Sequence, residues 1–239
     1  MKSRFVLFVF CFCGGMVLWA QEQKTAIFPA GNFVQNYLTE AKDYAALYTG
    51  KTETPYSLAF TNHPYLETPG YVAGTLSYNG ALYRDVLMRL DLFRDEITVI
   101  SPNTPYRIVL NNAKFNYAIL HGLTIIKSED EKGTNTKFLV LLHNGTFPVI
   151  KKHTLRIIEE ASSLDRTLTR YFQFQQQYIV FVDGIPYAVK NKNSILKLFA
   201  DRKKELNDYA RQHKLNFKKG IEQSIIELIA YYESLEERS

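Results

Sequence analysis

The middle of this chain is punctuated by three Asn-Gly or Asp-Gly pairs, each set between two β-prone segments. Leu76-Ser77-Tyr78 runs into Asn79-Gly80, Leu141-Leu142-His143 into Asn144-Gly145, and Val180-Phe181-Val182 into Asp183-Gly184. The second arms are Ala81 to Met88, Thr146 to Lys151 and Ile185 to Lys190. A two-residue hairpin asks for positive φ at its central residues, which Asn, Asp and Gly tolerate best. Connections this short favour antiparallel neighbours, since parallel pairs need long crossovers.

More strand-like segments lie between and beside these turns. Val86 to Asp91 alternates, with Val86, Met88 and Leu90 on one side and Leu87, Arg89 and Asp91 on the other. Glu96 to Ser101, Tyr106 to Leu110, Phe115 to Leu120, Leu123 to Lys127 and Phe138 to Leu142 continue the series. Tyr171 to Phe174 and Tyr178 to Val182 resume it. Asn111-Asn112 and His121-Gly122 are turns, and the polar run 129–135 is a surface loop. The expected fold is α+β: an antiparallel β-meander of about 8–11 strands, as a partial barrel or a sandwich.

The period changes near the C-terminus. Asn193 or Ser194 caps a short helical turn ending at Phe199, and Arg202 to Lys214 follows with Leu206, Tyr209 and Ala210 on one face. After Gly220, the residues Ile221, Ile225, Leu228, Ile229 and Tyr232 recur at helical spacing. These segments predict a C-terminal α-hairpin docked on the sheet. Near the other end, Tyr37 to Tyr48 has helix-compatible spacing and Tyr48-Thr49-Gly50 stops it. The expected organisation is a leader at 1–20, an N-terminal segment at 21–70, the sheet domain at 71–192 and the helical pair at 193–239.

The leader is inferred from Met1-Lys2-Ser3-Arg4, a basic head, followed by an apolar run from Phe5 to Phe12 and a small residue, Ala20, where composition turns polar. That order is the pattern of a secretory signal peptide. Lipid attachment would need a small residue before the cysteine, but Phe10 precedes Cys11 and Phe12 precedes Cys13. Cleavage after Ala20 removes both cysteines, and with them any disulfide or thiol chemistry. It leaves no expected transmembrane anchor. Loss of Lys2 and Arg4 lowers the formal charge from +5 to +3, too mild to suggest nucleic-acid binding.

Little catalytic chemistry is visible. His63, His121, His143, His153 and His213 form no metal-ligand pair, and no Gly-x-Ser-x-Gly elbow, phosphate-cradling glycine run or other cofactor motif occurs. Asp85, Asp91, Asp95 and Glu96 cluster around one hairpin, where turn formation accounts for them. Asp91 and Glu96 are nevertheless the best carboxylate pair for glycan hydrolysis. Asn144-Gly145-Thr146 matches the glycosylation triplet. Tyr65, Tyr71, Tyr78 and Tyr83 gather near the first hairpin and could stack on a sugar or seat a partner. Arg202-Lys203-Lys204 and Lys218-Lys219 are basic clusters fit for an acidic protein surface or an anionic membrane.

Tyr71 to Gly80, Tyr83-Arg84-Asp85-Val86 and Leu90-Asp91-Leu92 with Asp95 resemble an exported protein family of Bacteroidota to which no activity is assigned. The lysine-rich stretch from Lys190 through Ser194, Phe199 and Asp201 to Leu206 is similar too, as is the Tyr231-Tyr232 ending. His143-Asn144-Gly145 departs from that pattern, in which aspartate before the glycine is more usual. The resemblance implies a bacterial envelope protein and carries over no catalytic residue. The expected function is therefore a non-catalytic exported protein, periplasmic or outer-membrane-associated. It would bind another envelope protein or a surface ligand through Arg202, Lys203, Lys204, Lys218 and Lys219. A lipid or lipoprotein carrier with a curved sheet, and a carboxylate-dependent glycan hydrolase, are the alternatives.

Overall fold

The structure is a computed structural model that describes residues 46–102, 104–129, 136–161 and 167–237. The expected leader, the helix up to residue 45 and the loop at 130–135 lie outside the described residues. The described chain is α+β, an antiparallel sheet followed by three helices. The strands are β1 (Lys51–Thr52), β2 (Val72–Tyr78), β3 (Ala81–Asp91), β4 (Glu96–Ile100), β5 (Arg107–Val109), β6 (Phe115–Leu120), β7 (Leu123–Glu129), β8 (Thr136–His143), β9 (Val149–Ala161), β10 (Leu168–Val182) and β11 (Ile185–Val189). Their order across the sheet is β1-β5-β4-β3-β2-β6-β7-β8-β9-β10-β11. Two meanders are thus spliced where β2 pairs with β6.

Two of the three marked turns form as their sequences predict. Asn79 and Gly80 have φ of 52° and 77°, and Asp183 and Gly184 have 51° and 76°. His121-Gly122 makes a third such turn, at 54° and 73°. Asn144-Gly145 does not. Neither residue has positive φ, and the connection runs five residues, from 144 to 148. A helix decides this: the Glu233 carboxylate accepts the Phe147 N–H at 2.8 Å and contacts His143 Nε2 at 2.7 Å. Glu233→Ala should cost about 1.5–3 kcal/mol, the worth of a hydrogen bond to a charged group. Thermal unfolding measures that cost, and faster amide exchange at Phe147 would locate it in this loop.

The sheet curls. β3 and β10 are separated by five strands, so a flat sheet would hold them about 29 Å apart at the usual strand spacing. Yet Phe93, in the β3–β4 turn, has its ring 5.4 Å from that of Phe172 on β10. Asp95 of the same turn pairs with Lys137 at the start of β8 and accepts the Phe138 N–H. The result is a partial barrel rather than a sandwich, with both sheet edges left unjoined. The bulge at Arg84-Asp85, opposite Thr75, contributes to the bend, with Asp85 at φ 56°.

The segment before β2 fills the remaining gap at one end. The Leu66 N–H donates to the Leu90 carbonyl on β3, and the Leu92 N–H, just past β3, donates to the Pro64 carbonyl. Thr61 donates to the Arg170 carbonyl, and Asn62 brackets the Phe172 backbone with bonds of 2.8 and 2.7 Å. Tyr56 and Phe60 from this segment pack on the Phe172 ring. The segment 51–66 is therefore tied into the barrel. The core inside the curl includes Leu76, Tyr78, Met88, Leu90, Ile97, Phe115, Ile125 and Phe172, all nearly inaccessible.

The helices are α1 (Lys192–Leu198), α2 (Lys203–Gln212) and α3 (Ile221–Glu236). The α1 cap lies two or three residues earlier than the sequence suggests: the Asn191 side chain accepts the Ser194 N–H, and Ser194 Oγ accepts the Asn191 N–H. This capping box turns the chain away from the sheet directly after β11. The predicted stripe of α3 is the buried one, with Ile225, Leu228, Ile229 and Tyr232 packed on Val149, Tyr178, Val180 and Val189. At this junction Phe147 meets Phe199 and Tyr232 edge to face, while the Phe199 and Tyr232 rings lie tilted against each other at 4.1 Å. Among the described residues, no helix is long and apolar enough to cross a membrane.

Candidate functional site

The carboxylates singled out by the sequence are occupied structurally. Asp91 and Glu96 are cross-strand partners on β3 and β4. Asp91 is buried; Oδ1 accepts the Phe93 and Arg94 N–H groups at 2.9 Å, and Oδ2 accepts the Tyr56 hydroxyl at 2.7 Å. Glu96 lies 3.5 Å from Lys51 Nζ. Asp91 is thus a turn cap, with both carboxylate oxygens accepting hydrogen bonds. Burial raises its pKa above the ordinary carboxylate value against the opposing pull of these hydrogen bonds. A raised folded value makes a contribution to stability that is complete below the ordinary value and is lost as pH rises through the folded one. Asp91→Asn keeps the acceptor and lets Nδ2 donate to Tyr56. The stability of the wild type relative to this variant should therefore fall as pH rises through the acidic range. Urea unfolding at several pH values checks the sign, and an opposite trend would refute it.

The tyrosine group does not form an open stacking platform. Tyr78 and Tyr83 are buried in the core, while Tyr65 and Tyr71 flank the Arg89 guanidinium at 3.9 and 4.5 Å. Arg89 also bonds Glu53 at 2.7 Å, and Tyr71 donates to the same carboxylate. This network ties the chain after β1 to β3. The histidines are scattered: His63 accepts from the Tyr65 N–H, His121 forms a turn, His143 meets Glu233 and His213 stacks on Tyr209. Among the described residues no three His, Cys, Asp or Glu side chains converge as metal ligands.

The basic residues of the helices fall into two places. Lys203 and Lys204 are exposed at the start of α2, while Arg202 is half-buried, 3.5 Å from Glu205 and 3.9 Å from Glu236. Lys218 and Lys219 are exposed in the turn before α3, where Asn216 accepts both of their N–H groups. The Arg202–Glu236 contact shows that α2 and α3 run antiparallel. Ten residues of α2, about 15 Å of rise, therefore separate the two clusters. That exceeds the physiological screening length of about 8 Å, so they do not act as one field.

The feature that sequence inspection missed lies on β10. The segments Tyr171 to Phe174 and Tyr178 to Val182 read as two pieces in the sequence, with Gln175-Gln176-Gln177 between them. Instead β10 runs unbroken for 15 residues, because β9 pairs with it from Leu168 to Val180. Its other edge is covered unevenly. Thr61 and Asn62 hold Arg170 and Phe172, and β11 takes over at Tyr178. The capping box at Asn191 ends β11 there. Among the described residues, 173–177 therefore have β9 on one side only. Strand alternation turns the N–H and C=O of Phe174 and Gln176 outward, since Phe172, in the same phase, bonds Asn62 and Tyr178 pairs with Val189. No described residue pairs with them.

Open grooves of about 480 and 350 Å³ follow this stretch and share Thr154 and Gln175. Val189, Lys190 and Ile221 close one end, and Arg156, Gln173 and Phe174 line the other. The inward face beside it is polar. Lys151, almost wholly buried, bonds Glu222 on α3 at 2.8 Å. His153 is opposite Gln176, and burial, reinforced by Lys151, lowers its pKa. The protein thus carries an edge able to make main-chain hydrogen bonds, set among glutamines and cations. Comparison with known protein families, with curated proteins and with solved structures finds no match.

Proposed function

We propose that this chain is a non-catalytic exported protein of the bacterial envelope, periplasmic or outer-membrane-associated, that binds another envelope protein. The observation that supports the reading is the open stretch of β10, where the backbone of Phe174 and Gln176 faces a groove instead of a neighbouring strand. Exposed sheet edges are a common way for one polypeptide to hold another. The hydrolase alternative has little support, because Asp91 is capped and Glu96 is paired. The carrier alternative needs a connected apolar cavity between sheet and helices, but Val149, Val180 and Val189 share one buried core cluster with Ile195, Ile225 and Ile229.

The test is photocrosslinking in native membranes with a photoreactive residue at Gln175 or, separately, at Lys203. A discrete protein adduct from Gln175 supports the reading and places the contact at β10. An adduct from Lys203 alone keeps partner binding but moves it to the basic face of α2. The absence of an adduct from either position would reject partner binding at both surfaces.

A further inference from the structure

We propose that residues 173–177 of β10 accept an extended segment of another polypeptide as an added strand, with side chains that alternate acidic and apolar. This rests on the partner-binding reading above and specifies its mode and chemistry. The gap is one strand wide. Asn62 blocks one end and the β11–α1 corner the other, leaving about 20 Å between Phe172 and Tyr178 at strand rise. A single chain of about five residues fits between them. The β10 edge of a second copy does not, because its own Asn62 segment and β11 would protrude into the same space.

The backbone in the gap offers two N–H and two C=O groups, from Phe174 and Gln176, enough to align a guest strand. The side chains of the walls then choose the guest. Phe174 and Gln176 lie on the concave face of the sheet, opposite Leu155 and His153 on β9. Phe174 is 42 % exposed, a large apolar surface beside the gap. A guest residue across from it buries apolar area on both partners. Gln173, Gln175 and Gln177 are on the convex face, with Arg156, Thr154 and Lys152 opposite them on β9. Lys190 stands at the β11 end. Among the described residues, Arg156, Lys152 and Lys190 take part in no ion pair. Guest side chains on the convex face therefore meet positive charge without a resident counter-ion. Neighbours two apart on a strand share a face, so the favoured guest alternates carboxylate and apolar residues.

The experiment uses the purified protein and two fluorescein-labelled five-residue peptides, one alternating Glu with Val and the other alternating Lys with Val. Anisotropy should show saturable binding of the Glu-Val peptide, weakening as salt rises, with at least tenfold preference over the Lys-Val peptide. Amide exchange at Phe174 and Gln176 should slow at least tenfold on binding. Exchange at Gln173, Gln175 and Gln177, whose N–H groups face β9, should stay unchanged. Gln176→Pro removes an N–H that serves only the gap, and should weaken binding at least tenfold. If that variant fails to fold, Arg156→Glu with Lys190→Glu tests the same idea by shifting preference toward the Lys-Val peptide. Equal binding of both peptides overturns the proposal, as does bound peptide with no protection at Phe174 and Gln176. So does protection of those amides before peptide is added, which would mean that the chain itself covers the edge. An adduct from Gln175 in membranes without peptide binding here would overturn strand addition and leave partner binding standing.

Discussion

Phe172→Ala should lower the unfolding free energy by about 3–5 kcal/mol, the range for emptying a buried aromatic site. Phe172 is 2 % exposed, and its ring contacts Phe60 at 4.4 Å, Phe93 at 5.4 Å and Tyr56 at 5.5 Å. These partners come from the segment before β2 and from the β3–β4 turn, which the sheet alone would hold far from β10. Their collapse into the cavity is limited, because Asp91 holds the Phe93 backbone and the Tyr56 hydroxyl. For a chain of this size the midpoint of thermal unfolding should drop by roughly 10 °C. Phe115→Ala, at an equally buried site against Phe138, is the comparison. Its cost should be similar, but only Phe172→Ala should also speed exchange of the Thr61 amide, which is bonded to Arg170. A loss below about 1 kcal/mol would show that the curl does not depend on this cluster.

Gly74→Val should cost about 3 kcal/mol or more, at or above the upper end for overpacking. A Cβ built on Gly74 falls onto the Ile119 carbonyl oxygen and the Met88 methyl group. The methyl can swing away, but the oxygen belongs to β6 and moves only if β6 leaves β2. That pair is the splice between the two meanders, so the strain falls where the sheet has no alternative pairing. Gly70→Ala is the control: its Cβ would meet only Thr68 Oγ1, at 3.7 Å, and the change should stay within about 0.5 kcal/mol. Equal midpoints for the two variants in urea would refute the packing argument.

Local chemistry was the legible part of this sequence. The Asn79-Gly80, His121-Gly122 and Asp183-Gly184 turns form because positive φ is a property of the residues that occupy them. The α3 stripe is buried because its period of recurrence defines a face whichever surface receives it. The exceptions are instructive. Asn144-Gly145 has the same local preference but yields to Glu233, 88 residues away from Gly145 in sequence, whose carboxylate holds the following loop. Asp91 looked like a candidate acid because a sequence cannot display Tyr56 and two backbone N–H groups closing on its oxygens.

The same division holds for the candidate site. The stretch 175–177 is visible in the sequence as a gap between two strand-like segments, and its meaning is not, since an edge strand exposed to water and a break between strands are equally polar. Pairing along β9 makes it part of a strand, and the lengths of β11 and of the Thr61-Asn62 contact decide which five residues are left open. The amino-acid sequence by itself determined the antiparallel hairpins and the helical end, because those preferences act over two to four residues. Only the tertiary structure decided the curl, the burial of Asp91 and the open edge of β10. Each depends on groups more than thirty residues apart, whose meeting is set by the curling of the whole sheet.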